Sequence, residues 1–203
     1  MNQLTKKPMQ DNPLFFTWEK LSAPNREKVS DLLKRFPRLH PVLANLLIAR
    51  GLHSAEEIAA YFSTDIEVLR QGTKMKNLEK AADRLITAIQ ENQKIRLYGD
   101  YDVDGTTSVA MMSLFLEIVD ADFDHYIPDR YTEGYGVSDQ GVGDAIESEV
   151  NLFITLDCGI RAIDKIEGLR SSGIDTIICD HHETGEEIPP ALAILNHKQK
   201  DCP

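Results

Sequence analysis

The chain has 203 residues, 42% of them hydrophobic and 27% charged, with a net charge of −11. Such a composition belongs to an ordinary globular protein, long enough for one large domain or a domain with a small appendage. No apolar run approaches the ~20 residues of a membrane span, and the acidic balance argues against broad electrostatic binding of nucleic acid, which depends on Lys and Arg neutralising phosphates. It leaves room for a nucleic-acid enzyme whose positive charge comes from metal ions.

The first residues, Met1 to Asn12, are polar and hold no apolar core for a signal peptide. A cytoplasmic protein with no membrane partner is therefore expected. Cys158, Cys179 and Cys202 are odd in number and widely spaced, which argues for free thiols and against a disulfide framework or a zinc ribbon.

In chain order, residues 1–20 read as irregular, with Pro8 and Pro13 breaking periodicity and an aromatic cluster at Phe15, Phe16 and Trp18. Asn25 to Phe36, His40 to Arg50 and Ser54 to Phe62 follow as three short amphipathic helices. Pro37, Gly51 and a Ser54 cap with Glu57 three residues on separate them. The basic residues Lys20, Arg26, Lys28, Lys34, Arg35 and Arg38 read as a solvated helical face rather than a polyanion site. These elements form an expected helical extension over 1–75.

From residue 76 to 203 the pattern alternates. A helix from Asn77 to Asn92 leads into a strand from Lys94 to Tyr98, then come a helix at 108–119, a strand from Asp124 to Pro128 and a helix from Ser138 to Glu147. A strand from Leu152 to Leu156, a helix from Ile160 to Ser171 and a strand from Ile174 to Cys179 complete the series. This order predicts an α/β fold with a doubly wound, mainly parallel sheet. Residues Glu183 to Pro190 read as a loop, followed by an apolar run from Ala191 to Leu195.

Between the first strand and its helix lies Leu97-Tyr98-Gly99-Asp100-Tyr101-Asp102-Val103-Asp104-Gly105-Thr106-Thr107-Ser108. Three carboxylates this close raise one another's pKa unless a cation compensates, and oxygen-rich sites favour hard ions such as Mg²⁺ or Mn²⁺. A solvated acidic turn, with Gly99 and Gly105 supplying backbone freedom, is the plainer reading. Asp102-Val103-Asp104-Gly105-Thr106 also fits the pattern of haloacid-dehalogenase-like phosphatases, although three residues separate Asp102 from the strand.

Two later strands end in comparable ways. Asp157-Cys158-Gly159 follows one, where Asp157 either caps a helix or binds metal. Asp180-His181-His182 follows the next, and neutral imidazoles are common metal ligands and acid/base groups. Parallel strands would bring all these groups to one sheet edge, where ligands of open α/β sheets collect. Such a mixed carboxylate and imidazole set suits Mn²⁺, and two neighbouring ions would hold a phosphate and activate water. The segment Tyr126 to Ser138 offers Arg130 for a bidentate phosphate contact and a Gly134-Tyr135-Gly136 loop before a helix; alternatively Arg130 pairs with Glu133 on the surface.

Taken together, Tyr98 to Ser108, Ile127-Pro128-Asp129-Arg130 with Glu133-Gly134-Tyr135-Gly136, Thr155 to Ile160 and Asp180-His181-His182 resemble the DHH phosphoesterase superfamily, within it the single-strand-specific exonucleases. The likeness extends to Arg50-Gly51 and Met75-Lys76. It implies 5′ to 3′ removal of mononucleotides from single-stranded DNA in repair and recombination, with Mn²⁺ or Mg²⁺, two ions in the intact protein. By motif, Asp102, Asp104, Asp157 and His181 are implied metal ligands, with Asp100 assisting because Tyr98 stands where many relatives have a ligand histidine. His182 is implied as a phosphate or proton-transfer partner, Asp180 as the support of the imidazoles, and Arg130 as a phosphate contact. The family's Asn-Pro-Lys turn reads Asn196-His197-Lys198 here. Because the family carries a further metal-binding Asp, a second lobe and an oligonucleotide-binding domain, the chain is expected to be the N-terminal part of a longer protein.

Two other functions remain open at this point. One is a phosphoesterase of the same superfamily acting on short oligonucleotides, cyclic dinucleotides or pyrophosphate. The other is a non-catalytic module that binds a nucleotide or docks a replication or recombination protein through its acidic surface.

Overall fold

Runs such as Leu152 to Leu156, apolar on both sides of the pleat, fold only where both faces of a sheet are covered, the situation of a parallel sheet with helices above and below. The computed structural model, which describes residues 25–65, 72 and 74–202, has that arrangement. The expectations for Phe15, Phe16, Trp18 and Lys20 lie outside the described residues. The chain divides into two compact units, Met1–Val68 and Leu69–Pro203.

In the first unit, α1 (Arg26–Arg35), α2 (Pro41–Ala49) and α3 (Ala55–Tyr61) pack Leu32, Ala44, Leu47, Ile48 and Ile58 into a small core. Each start has a local cause. The Asn25 side chain accepts from the N–H groups of Glu27 and Lys28, Pro41 opens α2, and Ser54 with Glu57 forms a complete capping box. The described basic residues Arg26, Lys28, Lys34, Arg35 and Arg38 are exposed, with Lys34 paired to Asp31.

The second unit runs α4 (Leu78–Gln90), β1 (Ile95–Gly99), α5 (Val103–Ile118), β2 (Phe123–Tyr126), α6 (Asp139–Glu147), β3 (Leu152–Leu156), α7 (Ile163–Ser171), β4 (Asp175–Cys179) and β5 (Ala193–Leu195). The five strands are parallel in the order β2-β1-β3-β4-β5. One face buries Ile95, Leu97, Leu152 and Ile154 against Ala81 and Ala88 of α4 and Val109 and Leu116 of α5. The other buries Tyr98, Phe153 and Ile178 against Val142 and Ala145 of α6 and Ile166 and Leu169 of α7. The sheet is therefore doubly wound, as the alternation of elements predicts.

Beyond shifts of one or two residues at element ends, such as β2 at Phe123–Tyr126 where Asp124 to Pro128 is predicted, three differences have a physical cause. Helix α5 begins at Val103, five residues before the expected start, because Asp102 caps it: its Oδ1 accepts from the N–H groups of Asp104 and Gly105. Helix α7 begins at Ile163, since Ile160 is diverted to donate its N–H to Asp180 Oδ2. The run Ala191 to Leu195 contains a short fifth strand, too brief for periodicity to reveal and defined by its pairing with β4. No described helix is long and apolar enough to cross a membrane. The three cysteines are free.

Candidate metal centre

The register of the sheet places Gly99, Leu156, Cys179 and Leu195 in one row. The residue after each is polar: Asp100, Asp157, Asp180 and Asn196. Their backbone N–H groups extend the ladder by one rung, with Asp100 donating to Leu156 O at 3.2 Å, Asp157 to Cys179 O at 2.9 Å and Asp180 to Leu195 O at 3.0 Å. Four polar side chains thus leave the sheet at its carboxyl edge, beside the point between β1 and β3 where the winding reverses.

The glycines of the acidic stretch act by space rather than by unusual backbone angles. A Cβ on Gly105 would stand 2.4 Å from the Asp100 carbonyl oxygen, and one on Gly99 would stand 2.3 Å from Val109 Cγ2. Their absence of side chains lets the start of α5 sit directly on the end of β1. Asp157 instead holds φ at +64°, in the left-handed region that non-glycine residues seldom occupy. Strain of this kind, costing roughly 1–3 kcal/mol, collects at functional sites. Asp157 does not cap α7, which has Ala162 at its N-cap.

Ligand atoms of Asp100, Asp102 and Asp157 lie within 4.8 Å of one another, and so do those of Asp157, His181 and His182. Asp157 belongs to both sets and joins them. His181 Nε2 is 3.0 Å from Asp157 Oδ1. Asp104 stands in the first turn of α5, outside both sets, and its charge reaches Asp157. Burial, reinforced by the Asp102 carboxylate, raises the Asp157 pKa above the usual carboxyl range. Burial likewise raises that of Asp100, against the N–H donated by Tyr101 and with the charge of Asp102 adding to the shift. Carboxylates that resist ionising together are what a bound cation would relieve, and the oxygen and imidazole donors suit a hard or borderline divalent ion.

Asp180 has a different task. Its side chain is 1% exposed and fully engaged: Oδ1 accepts from the N–H groups of His181 at 2.7 Å and His182 at 3.0 Å, and meets His182 Nδ1 at 2.7 Å, while Oδ2 accepts from Ile160 N–H at 2.9 Å. Burial alone would raise its pKa, but the hydrogen bonds from His182 and Ile160 outweigh it and hold the carboxyl below its ordinary value. Asp180 therefore stays ionised and fixes both histidines. Asn196, fully buried, braces the same loop from the β5 side by donating Nδ2–H to His182 O at 3.0 Å and accepting from Lys198 N–H at 2.8 Å. His197 itself is exposed.

Arg130 is exposed, with its guanidinium 5.1 Å from the centre of the Tyr101 ring. The Arg130 to Glu133 pairing does not form among the described residues. Glu133 instead gathers Tyr126 Oη at 2.8 Å, Asp129 N–H at 2.8 Å and Ser138 Oγ at 2.5 Å, closing the loop between β2 and α6. Tyr98 points away from the carboxylates; its hydroxyl accepts from Ser138 N–H at 3.0 Å and anchors the same loop at Gly136 O.

Two residues enter the site in roles that the sequence motifs holding them do not give. Asn196 is one; the other is Tyr135, whose hydroxyl lies 3.1 Å from His182 Nε2. Its position in Gly134-Tyr135-Gly136 hints at a loop, and only the fold says what the loop reaches.

Residues 94–203 match the family model described as DHH family, N-terminal domain. The chain is 39% identical over 185 residues to the single-stranded-DNA-specific exonuclease RecJ of Bacillus subtilis, covering 91% of this chain and 23% of that protein. It is 33% identical to the RecJ of Escherichia coli, covering 87% and 30% respectively. Among solved structures, exonuclease RecJ bound to manganese superposes with a TM-score of 0.59 at 36% identity, covering 63% of this chain and 32% of that one. RecJ from Thermus thermophilus in complex with Mn²⁺ gives 0.57 at 27% identity, covering 87% and 24%. The chain thus spans less than a third of the length of these relatives. Asp180-His181-His182 at the end of β4, the acidic turn after β1 and the match over more than half the chain agree: this chain belongs to the DHH family.

Proposed function

We propose that the protein hydrolyses phosphodiester bonds of single-stranded DNA as an exonuclease, with Mn²⁺ or Mg²⁺ held at the carboxyl edge of the sheet. The observation that carries this reading is Asp157, shared between a set of three carboxylates and a set with two imidazoles. The names of the RecJ relatives and the manganese in their structures support the substrate and the ion.

Within this reading Asp102, Asp157 and His181 hold the ion, Asp100 completes the carboxylate side, and Asp104 adds negative charge from the first turn of α5. When bound, such an ion neutralises the carboxylates, polarises a phosphoryl oxygen and makes water a better nucleophile. Arg130 receives a phosphate at the open side, its guanidinium braced on Tyr101. Asp180 keeps His182 in one orientation, with Nδ1–H toward the carboxylate and Nε2 toward Tyr135 Oη. That chain can pass a proton to or from a group at the mouth of the site. Beyond DNA, we infer replication or recombination proteins as the kind of partner.

The test is release of mononucleotides from 5′-labelled and 3′-labelled single-stranded DNA by the natural full-length protein, with Mn²⁺ and with EDTA. Early release of the 5′ label, abolished by EDTA, is expected. Cleavage of dinucleotides or pyrophosphate with no attack on DNA would replace this reading with a small-substrate phosphoesterase; no hydrolysis of any of them would leave a binding module.

A further inference from the structure

A cavity of about 490 Å³ opens beside the cluster, between the Tyr135-Gly136-Val137 segment and the Gly159 to Lys165 turn that enters α7. Asp180 and His182 form its wall toward the candidate metal centre. Its size is within the range of small-ligand sites, and its walls combine an apolar base with a few charged groups at the rim. Val137 and Ile160 are buried at the base, and Ala162 and Ile163 are partly buried. At the rim, Arg161 is held by donating from Nε to Glu183 O at 2.9 Å, and Lys165 is paired with Asp139. Tyr135, 62% exposed, presents an aromatic ring on the same side as His182.

We propose that this cavity seats the nucleoside attached to the phosphodiester at the cluster, an inference that rests on the nuclease reading above. The cavity and the cluster share His182, so a ligand that fills one and reaches the other joins a phosphate to a body that meets apolar walls at its base and polar groups at its edges. A nucleoside has that construction. An aromatic side chain accepts any base on its face, which is how sequence-tolerant enzymes hold single strands. The segments that line the cavity are also tied to the sheet by hydrogen bonds: Tyr98 anchors Gly136, and Asp180 anchors Ile160.

The experiment uses the full-length protein with Mn²⁺ and compares hydrolysis of oligonucleotides that carry either a base or an abasic residue at the cleaved nucleotide. Wild type is expected to favour the base by about tenfold in kcat/KM, the size of one stacking interaction. Ala162→Leu and, separately, Ile163→Phe narrow the cavity without touching the cluster, and both are expected to lose the preference for the base while Mn²⁺ affinity stays unchanged. Wild type that does not distinguish the substrates, or narrowed variants that keep the preference, overturn the proposal. A measurement free of variants runs beside it: inhibition by a deoxynucleoside 5′-monophosphate against deoxyribose 5-phosphate, expected to differ by about tenfold. Equal inhibition also overturns it. Absence of hydrolysis of every oligonucleotide by wild type is the separate signature that the nuclease reading itself has failed.

Discussion

The Tyr135 hydroxyl lies 3.1 Å from Nε2 of His182, whose Nδ1 is 2.7 Å from Asp180 Oδ1. Asp180, His182 and Tyr135 thus form one line of hydrogen bonds from the buried sheet edge to the solvent side of the site. Burial, with the charge of Asp100, pushes the Tyr135 phenol up to about 12, so it remains a donor at neutral pH.

Removing that hydroxyl leaves the ring in place. In the full-length protein Tyr135→Phe is expected to lower kcat by about fivefold, the worth of one ordinary hydrogen bond, with KM within about twofold of wild type. Steady-state kinetics on single-stranded DNA check it; unchanged kcat would mean that His182 is oriented by Asp180 alone.

Asp157 is predicted to trade stability for metal. Its pKa is raised in the folded protein, so the ionised carboxylate is disfavoured there relative to the unfolded chain. In EDTA at neutral pH, Asp157→Asn is expected to raise Tm by a few degrees, since asparagine tolerates the left-handed backbone and carries no charge. The sign follows from linkage: the penalty is present above the folded pKa, fades as pH falls through it, and is gone below the ordinary carboxyl value. The difference between variant and wild type should therefore shrink toward about pH 4. With Mn²⁺ the order should reverse, because the variant loses a ligand common to both sets. Thermal melts with and without Mn²⁺ between about pH 4 and 8 decide the matter.

For Arg130, substitution by Ala is expected to weaken binding of single-stranded DNA and to reduce the slope of log K against log salt by about 0.7, the value for one lost phosphate contact on a single strand. Fluorescence anisotropy at several salt concentrations, with Ca²⁺ in place of Mn²⁺ to slow turnover, measures it. An unchanged slope would reduce Arg130 to a brace for the Tyr101 ring.

Arg96 concerns stability rather than chemistry. It is 3% exposed, bonded through Nε and Nη2 to Asp124 and through Nη1 to Asp144 at 2.6 Å, and it ties β1 to β2 and α6. Burial would lower its pKa, but the two carboxylates raise it, so it stays charged. Arg96→Ala is expected to cost about 2 kcal/mol, less than a fully buried pair because Asp124 and Asp144 are partly exposed to solvent. Urea denaturation gives the value directly; a loss below ~0.5 kcal/mol would class the group with ordinary surface pairs.

Local chemistry explains what could be read from the residues in order. The parallel, doubly wound sheet follows from apolar runs alternating with amphipathic helices, because each pattern is written over adjacent positions. The same holds for the polar residues that end strands: parallel strands put Asp100, Asp157 and Asp180 at one edge. The structure adds what depends on register and on distant partners. The row that aligns Gly99, Leu156, Cys179 and Leu195 makes Asp157 common to two ligand sets and brings Asn196 behind His182. Asp104, in the first turn of α5, lies outside the two sets of ligand atoms that share Asp157, although it alternates with Asp100 and Asp102, and its charge still reaches Asp157. Strand β5, three residues long, exists by pairing with β4, and Tyr135 reaches His182 across 47 residues. Periodicity and composition report on neighbours in the chain; contacts made across the sheet are set by how its elements pack, and these decided the geometry of the site.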